Sequence, residues 1–310
     1  MNKIHILITI ILSITIAFAL KKIFTKLGKF DAINYRSVHK TQATKTGGIA
    51  VFTTLFLISV FLYLSEQKLF DFSLLIPLGI MFMVGVYDDF YNADFKLKFF
   101  LQIIVAKILI DQGFVIDHFH GVLGIQEIPR VASQIFTVFV FLVIVNAINF
   151  IDGIDGLAVT EMIKVVLLVE FFSINQSPIF VLGIIVALSS LPLYYLNFKK
   201  ENKVFLGDAG SLLFGTLIAI YLFHVLGSDY IFKEQFKINK PLLTISLIIY
   251  PLIDLLRVFI IRIADKKSPF SPDQNHLHHL LLKKGFSHLA IVLFIQTFSL
   301  GFLSLVQIIG

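Results

Sequence analysis

The chain has 310 residues, of which 57% are apolar, 15% are charged and none is cysteine. Soluble domains hold roughly 45–50% apolar and about 25% charged residues, so a water-soluble enzyme and a disordered chain are both excluded. The formal charge of +6, from 26 Lys and Arg against 20 Asp and Glu, reads as cationic loops on one side of a membrane and not as a nucleic-acid surface. The lack of cysteine removes disulfides, thiolate metal sites and a thiol nucleophile.

Apolar runs broken by polar residues predict ten spans, near 4–24, 47–64, 73–90, 97–112, 132–149, 157–174, 178–196, 210–227, 242–262 and 289–308. Their lengths suit helices crossing about 30 Å of hydrocarbon. Barrel strands would alternate apolar and polar residues over about ten positions, and here Ile, Leu, Phe and Val run unbroken. An all-α integral membrane protein, one polytopic domain over 1–310, is therefore expected. The first run ends in Ala17-Phe18-Ala19, a small-residue pattern of the signal-cleavage kind. Lys21, Lys22, Lys26 and Lys29 follow at once and resist export, so a retained helix is expected.

Loops after the odd-numbered spans hold 17 Lys and Arg against six on the opposite side, with Lys107, Lys164 and Arg257 inside spans. The positive-inside rule places the odd loops in the cytoplasm and both ends of the ten-span chain outside. Residues 113–131, the longest outward loop, are expected to form a short hairpin on the outer face. No internal repeat of the transporter kind is evident.

The chemistry-bearing residues fall in the odd loops. Asp31, Arg36, His39, Lys40, Lys45, Thr46, Gly47 and Gly48 in the first read, taken alone, as a positive-inside loop. The third span ends in Gly85-Val86-Tyr87-Asp88-Asp89. Adjacent carboxylates at a membrane boundary repel each other and lose water, which calls for a cation such as Mg²⁺. Lys96 and Lys98 follow and suit anionic groups. The fifth span runs into Asn146-Ala147-Ile148-Asn149-Phe150-Ile151-Asp152-Gly153-Ile154-Asp155-Gly156-Leu157. Its glycines let backbone approach a ligand closely, and the turn carries two Asn and two Asp with no Lys or Arg among them. Amides opening the next helix suit a phosphate or a uracil edge.

Lys203-Val204-Phe205-Leu206-Gly207-Asp208-Ala209-Gly210-Ser211 precedes the eighth span. Asp208 stands where either a helix cap or a metal ligand would, and Phe205 either stacks on a base or packs. Asp254 and Arg257, one turn apart in the ninth span, read as an internal ion pair. The last odd loop holds Ser268-Pro269-Phe270-Ser271-Pro272-Asp273-Gln274-Asn275-His276-Leu277-His278-His279. Imidazoles in a cationic loop suit an anionic pyrophosphate better than a zinc site, which wants a fourth ligand. A secondary transporter is the rival class, and it would show acids near mid-span and broken helices. Here the acids sit at helix ends.

Together the Asp88-Asp89 pair, the NFIDGIDGL turn, the VFLGDAGS loop and the SPFSPDQNHLHHLL loop stand in the order of a known family. From about Asp31 to about Gly285 the chain resembles the polyprenyl-phosphate N-acetylhexosamine-1-phosphate transferase superfamily. Its His-Leu-His-His pattern is of the GlcNAc-1-phosphate transferase kind, while the phospho-MurNAc-pentapeptide translocases, the alternative branch, carry a consecutive triplet. Lys45-Thr46 stands where relatives often have Pro and Arg.

The resemblance implies an active site formed by cytoplasmic loops at the bacterial inner membrane. The reaction it implies moves N-acetylhexosamine 1-phosphate from a UDP-sugar to undecaprenyl phosphate, releasing UMP, as the first membrane step of a surface polysaccharide. Asp88 and Asp89 are its expected catalytic residues, and Asp208 with Asp89 its expected Mg²⁺ ligands, Mn²⁺ being the substitute metal. Asn149, Asp152, Asp155 and Phe205 are expected at the nucleotide, His276, His278 and His279 at its phosphates, and Lys45 and Lys96 as charge partners. The expected partners are UDP-N-acetylhexosamine, undecaprenyl phosphate, membrane lipid and a second copy of the chain as a homodimer, with no nucleic acid.

Overall fold

The computed structural model describes residues 3–31, 42–199, 201–236, 238–268 and 275–309. Arg36, His39 and Lys40 of the first loop and residues 269–274 of the histidine loop lie outside them. All ten apolar runs are helical, and the molecule is an all-α membrane protein. In chain order come α1 (Lys3–Lys26), β1 (Ala43–Thr44), α2 (Gly47–Leu64), α3 (Leu75–Tyr91), α4 (Phe95–Asp111), α5 (Arg130–Ile151) and α6 (Leu157–Phe172). These are followed by α7 (Phe180–Asn197), β2 (Lys203–Val204), α8 (Gly207–Leu226), α9 (Lys240–Leu247), α10 (Ile249–Ala264), α11 (Leu277–Lys283) and α12 (His288–Ile309).

Among the described residues, seven helices are long and apolar enough to cross a membrane, and an eighth span is possible as the bent pair α9–α10. This is fewer than the ten expected. The difference lies in α4 and α6, of 17 and 16 residues, whose rise of about 24–26 Å falls short of the full hydrocarbon thickness. The ninth expected span is not one helix: it bends by 71° at Ile248. Pro251 has no N–H to give the Leu247 carbonyl, so the ladder is interrupted there, while a proline is tolerated in the first turn of the helix that restarts.

α8 stands at the centre. Its window is 94% buried, against 22% for α1 and 28% for α12, which face lipid. A helix that is apolar all round belongs inside other helices, and Phe214, Leu217, Tyr221 and Leu222 of α8 are fully buried. Small residues let its neighbours come close. A Cβ on Gly85 of α3 would lie 2.3 Å from the Asp208 carbonyl oxygen, and one on Gly48 of α2 would lie 2.1 Å from the Gly210 nitrogen. Both contacts hold the ends of α2 and α3 against the start of α8.

The expected short hairpin is present. His118 pairs antiparallel with Glu127, Phe119 N–H donates to Gln126 O at 2.8 Å, and His120 Nε2 contacts Leu226 O at 2.9 Å at the far end of α8. At the opposite end β1 and β2 pair in parallel, Ala43 with Lys203 and Thr44 with Val204. Gly47 and Gly48 N–H extend that seam to Phe205 O and Leu206 O at 2.9 and 2.8 Å. The first loop is thereby stitched to the strand that leads into α8.

Candidate active site at the start of α8

The amides opening a helix lack intrahelical partners and carry partial positive charge. At α8 they are taken by a side chain from another helix: Asp89 accepts from Asp208 N–H at 3.1 Å and Ala209 N–H at 3.0 Å. The cap is therefore Asp89, and the capping alternative for Asp208 does not hold. The Asp89 side chain is only 1% exposed and lies 3.5 Å from Lys45 Nζ, which is also 3.2 Å from Asp31. Burial works against the Lys45 ammonium, yet Asp31 and Asp89 overcome it and hold Lys45 above the ordinary lysine value.

With Asp89 so engaged, Asp208 turns to other partners. Asn149 donates its Nδ2–H to Asp208 Oδ1 and to Ser211 Oγ, the latter at 2.8 Å. The carboxyls of Asp208 and Asp88 lie close enough to act on each other. Asp88 also accepts from Ala93 N–H at 2.8 Å and pairs with Lys98. Asn92, in the left-handed region at φ 53°, turns the chain so that Ala93 faces back. Two acids this close are stable only with a shared proton or a cation between them. Carboxylate oxygens are the donors a hard divalent ion takes. Among the described residues no group of three or more His, Cys, Asp or Glu is placed to hold a metal ion.

The turn between α5 and α6 lies beside these acids. Burial, reinforced by Asp208, Asp89 and Asp155, pushes the Asp152 carboxyl well above the usual carboxylate range. Asp155, expected to lack a cation, has one supplied from 48 residues away: Lys203 pairs with it, and His288 Nδ1 lies 3.2 Å from its Oδ2. Gly156, at φ +78°, gives its N–H to Asn197 Oδ1 at 2.6 Å, and Asn197 Nδ2–H donates to Val204 O at 3.0 Å. This one amide side chain ties the turn to β2.

The histidines meet the same turn. A Cβ on Gly153 would lie 2.9 Å from His279 Cε1 and 3.1 Å from His278 Nε2, so the glycine is what allows the two loops to touch. His276 Nδ1 is 2.7 Å from Asp254 Oδ2, and Leu277 N–H donates to Asp254 Oδ1 at 2.7 Å. The expected Asp254–Arg257 pair is long, at 3.9 Å. Arg257 instead donates to Asn275 O at 2.6 Å. His278 Nδ1 is 3.1 Å from Tyr250 OH. Burial, then the neighbouring His279, His276 and His288, hold His278 well below the ordinary histidine value.

The structure thus gathers Asp88, Asp89, Asp208, Asn149 and Lys45 in one cluster, and Asp152, Asp155, His276, His278 and His279 around the adjoining turn. Phe205 is half-buried, with its backbone in the β1–β2 seam. Lys96 is exposed with its N–H capped by Asp94, and Lys98 is the lysine that reaches the acids. Sequence reasoning gave no site role to Asp254, Tyr250, Asn197 or His288. Spacing carried no signal for one, because the partner that draws each to the site lies at least 22 residues away.

The sequence profile described as glycosyl transferase family 4 matches residues 71–225. An undecaprenyl-phosphate alpha-N-acetylglucosaminyl 1-phosphate transferase of Pasteurella multocida is 31% identical over 303 residues, covering 94% of this chain and 81% of that protein. Its namesake in Haemophilus influenzae is 32% identical, covering 84% and 73%. A decaprenyl-phosphate N-acetylglucosaminephosphotransferase of Mycobacterium leprae is 29% identical, covering 86% and 74%. The matched segment begins just before α3 and ends within α8, so it contains Asp88, Asp89, the Asp-Gly turn and Asp208. With that match and relatives above 30% identity over most of both chains, the protein belongs to glycosyl transferase family 4.

Proposed function

We propose that this protein transfers N-acetylglucosamine 1-phosphate from UDP-N-acetylglucosamine to undecaprenyl phosphate at the cytoplasmic face of a bacterial inner membrane, releasing UMP. The observation that carries the reading is the convergence of Asp88, Asp89, Asp208, Asn149, Lys45 and Lys98 at the start of α8. The relatives named above supply the acceptor and the sugar phosphate.

In the reaction an oxygen of the lipid phosphate forms a bond to the sugar-bearing phosphorus of the donor. The bond from that phosphorus to the oxygen it shares with the nucleotide phosphate breaks, and that oxygen leaves with UMP. Such displacements depend mostly on positioning and on stabilising negative charge. Asp208 and Asp88 would hold Mg²⁺, which would supply that stabilisation, in place of the expected Asp208 and Asp89, because Asp89 is taken up by the α8 amides. Asp89 fixes the first turn of α8 and so the direction of Asp208. Asn149 orients the Asp208 carboxyl. Lys98 and Lys45 bring positive charge to the acceptor side, and His278 brings an N–H donor to the donor phosphates. Asp152 and Phe205 face the nucleotide.

Purified protein with UDP-N-acetylglucosamine, undecaprenyl phosphate and Mg²⁺ is expected to release UMP and to yield a lipid heavier by one N-acetylhexosamine phosphate, read by mass. Asp208→Asn is expected to lower turnover by about 10²–10³-fold, the scale of losing one main electrostatic group. No lipid product from a panel of UDP-sugars would overturn the function. Near-normal turnover in Asp208→Asn would overturn the metal assignment.

A further inference from the structure

Two residues of α10 do not touch the acidic cluster, yet each holds a histidine that faces it. Tyr250 and Asp254 stand four positions apart, one turn of the same helix face. Asp254 is buried, and both of its oxygens are committed: Oδ2 to His276 Nδ1 at 2.7 Å and Oδ1 to the Leu277 N–H at 2.7 Å. Tyr250 OH is 3.1 Å from His278 Nδ1. The rings of His276 and His278 are nearly parallel, 14° apart with centroids 5.4 Å apart. Anchored by Nδ1 on the α10 side, both turn their Nε2 edges away from it. His278 is wholly buried and among the described residues its Nε2 meets no hydrogen-bond partner, although that atom lies 3.1 Å from the Cβ position of Gly153. A buried polar atom without a partner costs free energy unless a ligand supplies one.

We infer that Tyr250 and Asp254 are positioning residues for the histidine pair, setting which ring nitrogen carries hydrogen and aiming both Nε2 atoms at the Asp-Gly turn, where the diphosphate of the sugar nucleotide is received. The inference rests on the transfer reaction proposed above and names the part of the site that holds the donor. The chemistry follows from tautomers. A carboxylate accepts Nδ1–H and leaves His276 Nε2 as an acceptor for a hydroxyl of the sugar nucleotide, whereas a tyrosine hydroxyl donating to Nδ1 leaves the hydrogen of His278 on Nε2, where it meets an anion. The neutral state of His278 agrees, since burial and its histidine neighbours disfavour the cation. The bend at Ile248 redirects the chain so that α10 runs alongside the histidine loop, which an unbroken ninth span would not do.

Asp254→Asn keeps the size and the oxygen that accepts from Leu277, but presents NH₂ to His276 Nδ1 and so forces the hydrogen to Nε2. In the ¹⁵N-histidine-labelled full chain, long-range ¹H–¹⁵N spectra are expected to show one ring, assigned through His276→Ala, changing tautomer in Asp254→Asn. An unchanged ring would overturn the inference whatever the activity. In turnover, Asp254→Asn is expected to lower kcat/KM for UDP-N-acetylglucosamine at least tenfold with KM for undecaprenyl phosphate within twofold. With His276→Ala already present, the same substitution is expected to change kcat/KM by less than twofold. Equal fold losses in both backgrounds would mark a merely structural role and overturn it. Tyr250→Phe, tested against His278→Ala in the same way, carries the test if the Asp254 variant is not recovered folded. Wild-type protein that releases no UMP would sink the transfer reaction, while the spectra still decide the inference.

Discussion

Asp152 shows what a crowded acid does to its own fold. Because its carboxyl is held well above the ordinary range by burial and by Asp208, Asp89 and Asp155, the folded protein keeps a proton that the unfolded chain releases above about pH 4. Stability therefore falls as pH rises from there through the native value, and above that value the whole penalty is present. Asp152→Asn removes the penalty. Its unfolding temperature is expected to exceed that of the wild type at pH 8, with the gap closing toward pH 4, while UMP release falls at least tenfold. A variant no more stable at pH 8 would show that the carboxyl is not strained. This is the usual cost of a functional site, where local stability is given up for reactive groups. Asp155, three residues on, is paired with Lys203.

At the level of elements, helix contact depends on what is missing from a side chain. A methyl at Gly85 would strike the Asp208 carbonyl at 2.3 Å, and backbone cannot step aside. Overpacking costs about 1–3 kcal/mol where neighbours can adjust, so Gly85→Ala is expected to abolish turnover or folding. Gly79→Ala, on the same helix but 3.4 Å from a Phe52 ring carbon, is expected to stay within twofold of wild type. Equal activity in both would refute the close approach of α3 to α8. The apolar runs and the four motif loops were legible in sequence because composition and spacing are local properties. The bend at Ile248 was not, since the run from 242 to 262 stays apolar through it and Pro251 was absorbed into the count. Nor were the pairings of Asp155 with Lys203 or Asp254 with His276. They join segments that only folding brings together, and the Asp254–Arg257 spacing favoured a nearer, weaker contact.

Across the whole molecule, sidedness follows from the distribution of lysine and arginine, and the two ends of the bundle differ in kind. One carries the acid and histidine clusters; the other carries the hairpin that rests on the end of α8. The chain has no cysteine, so single cysteines can report each end. Lys267→Cys is expected to react with an impermeant thiol reagent only after the membrane is opened, and Gln126→Cys in intact cells. The reverse pattern would overturn the orientation. Lys45, Lys98 and Lys203 have each already found an acid within the protein. An arriving diphosphate thus does not add to a waiting positive field but trades places with carboxylates, and its grip is the difference between two attractions. Salt weakens both sides of that trade, so KM for the sugar nucleotide should climb with ionic strength more gently than three unengaged lysines would dictate.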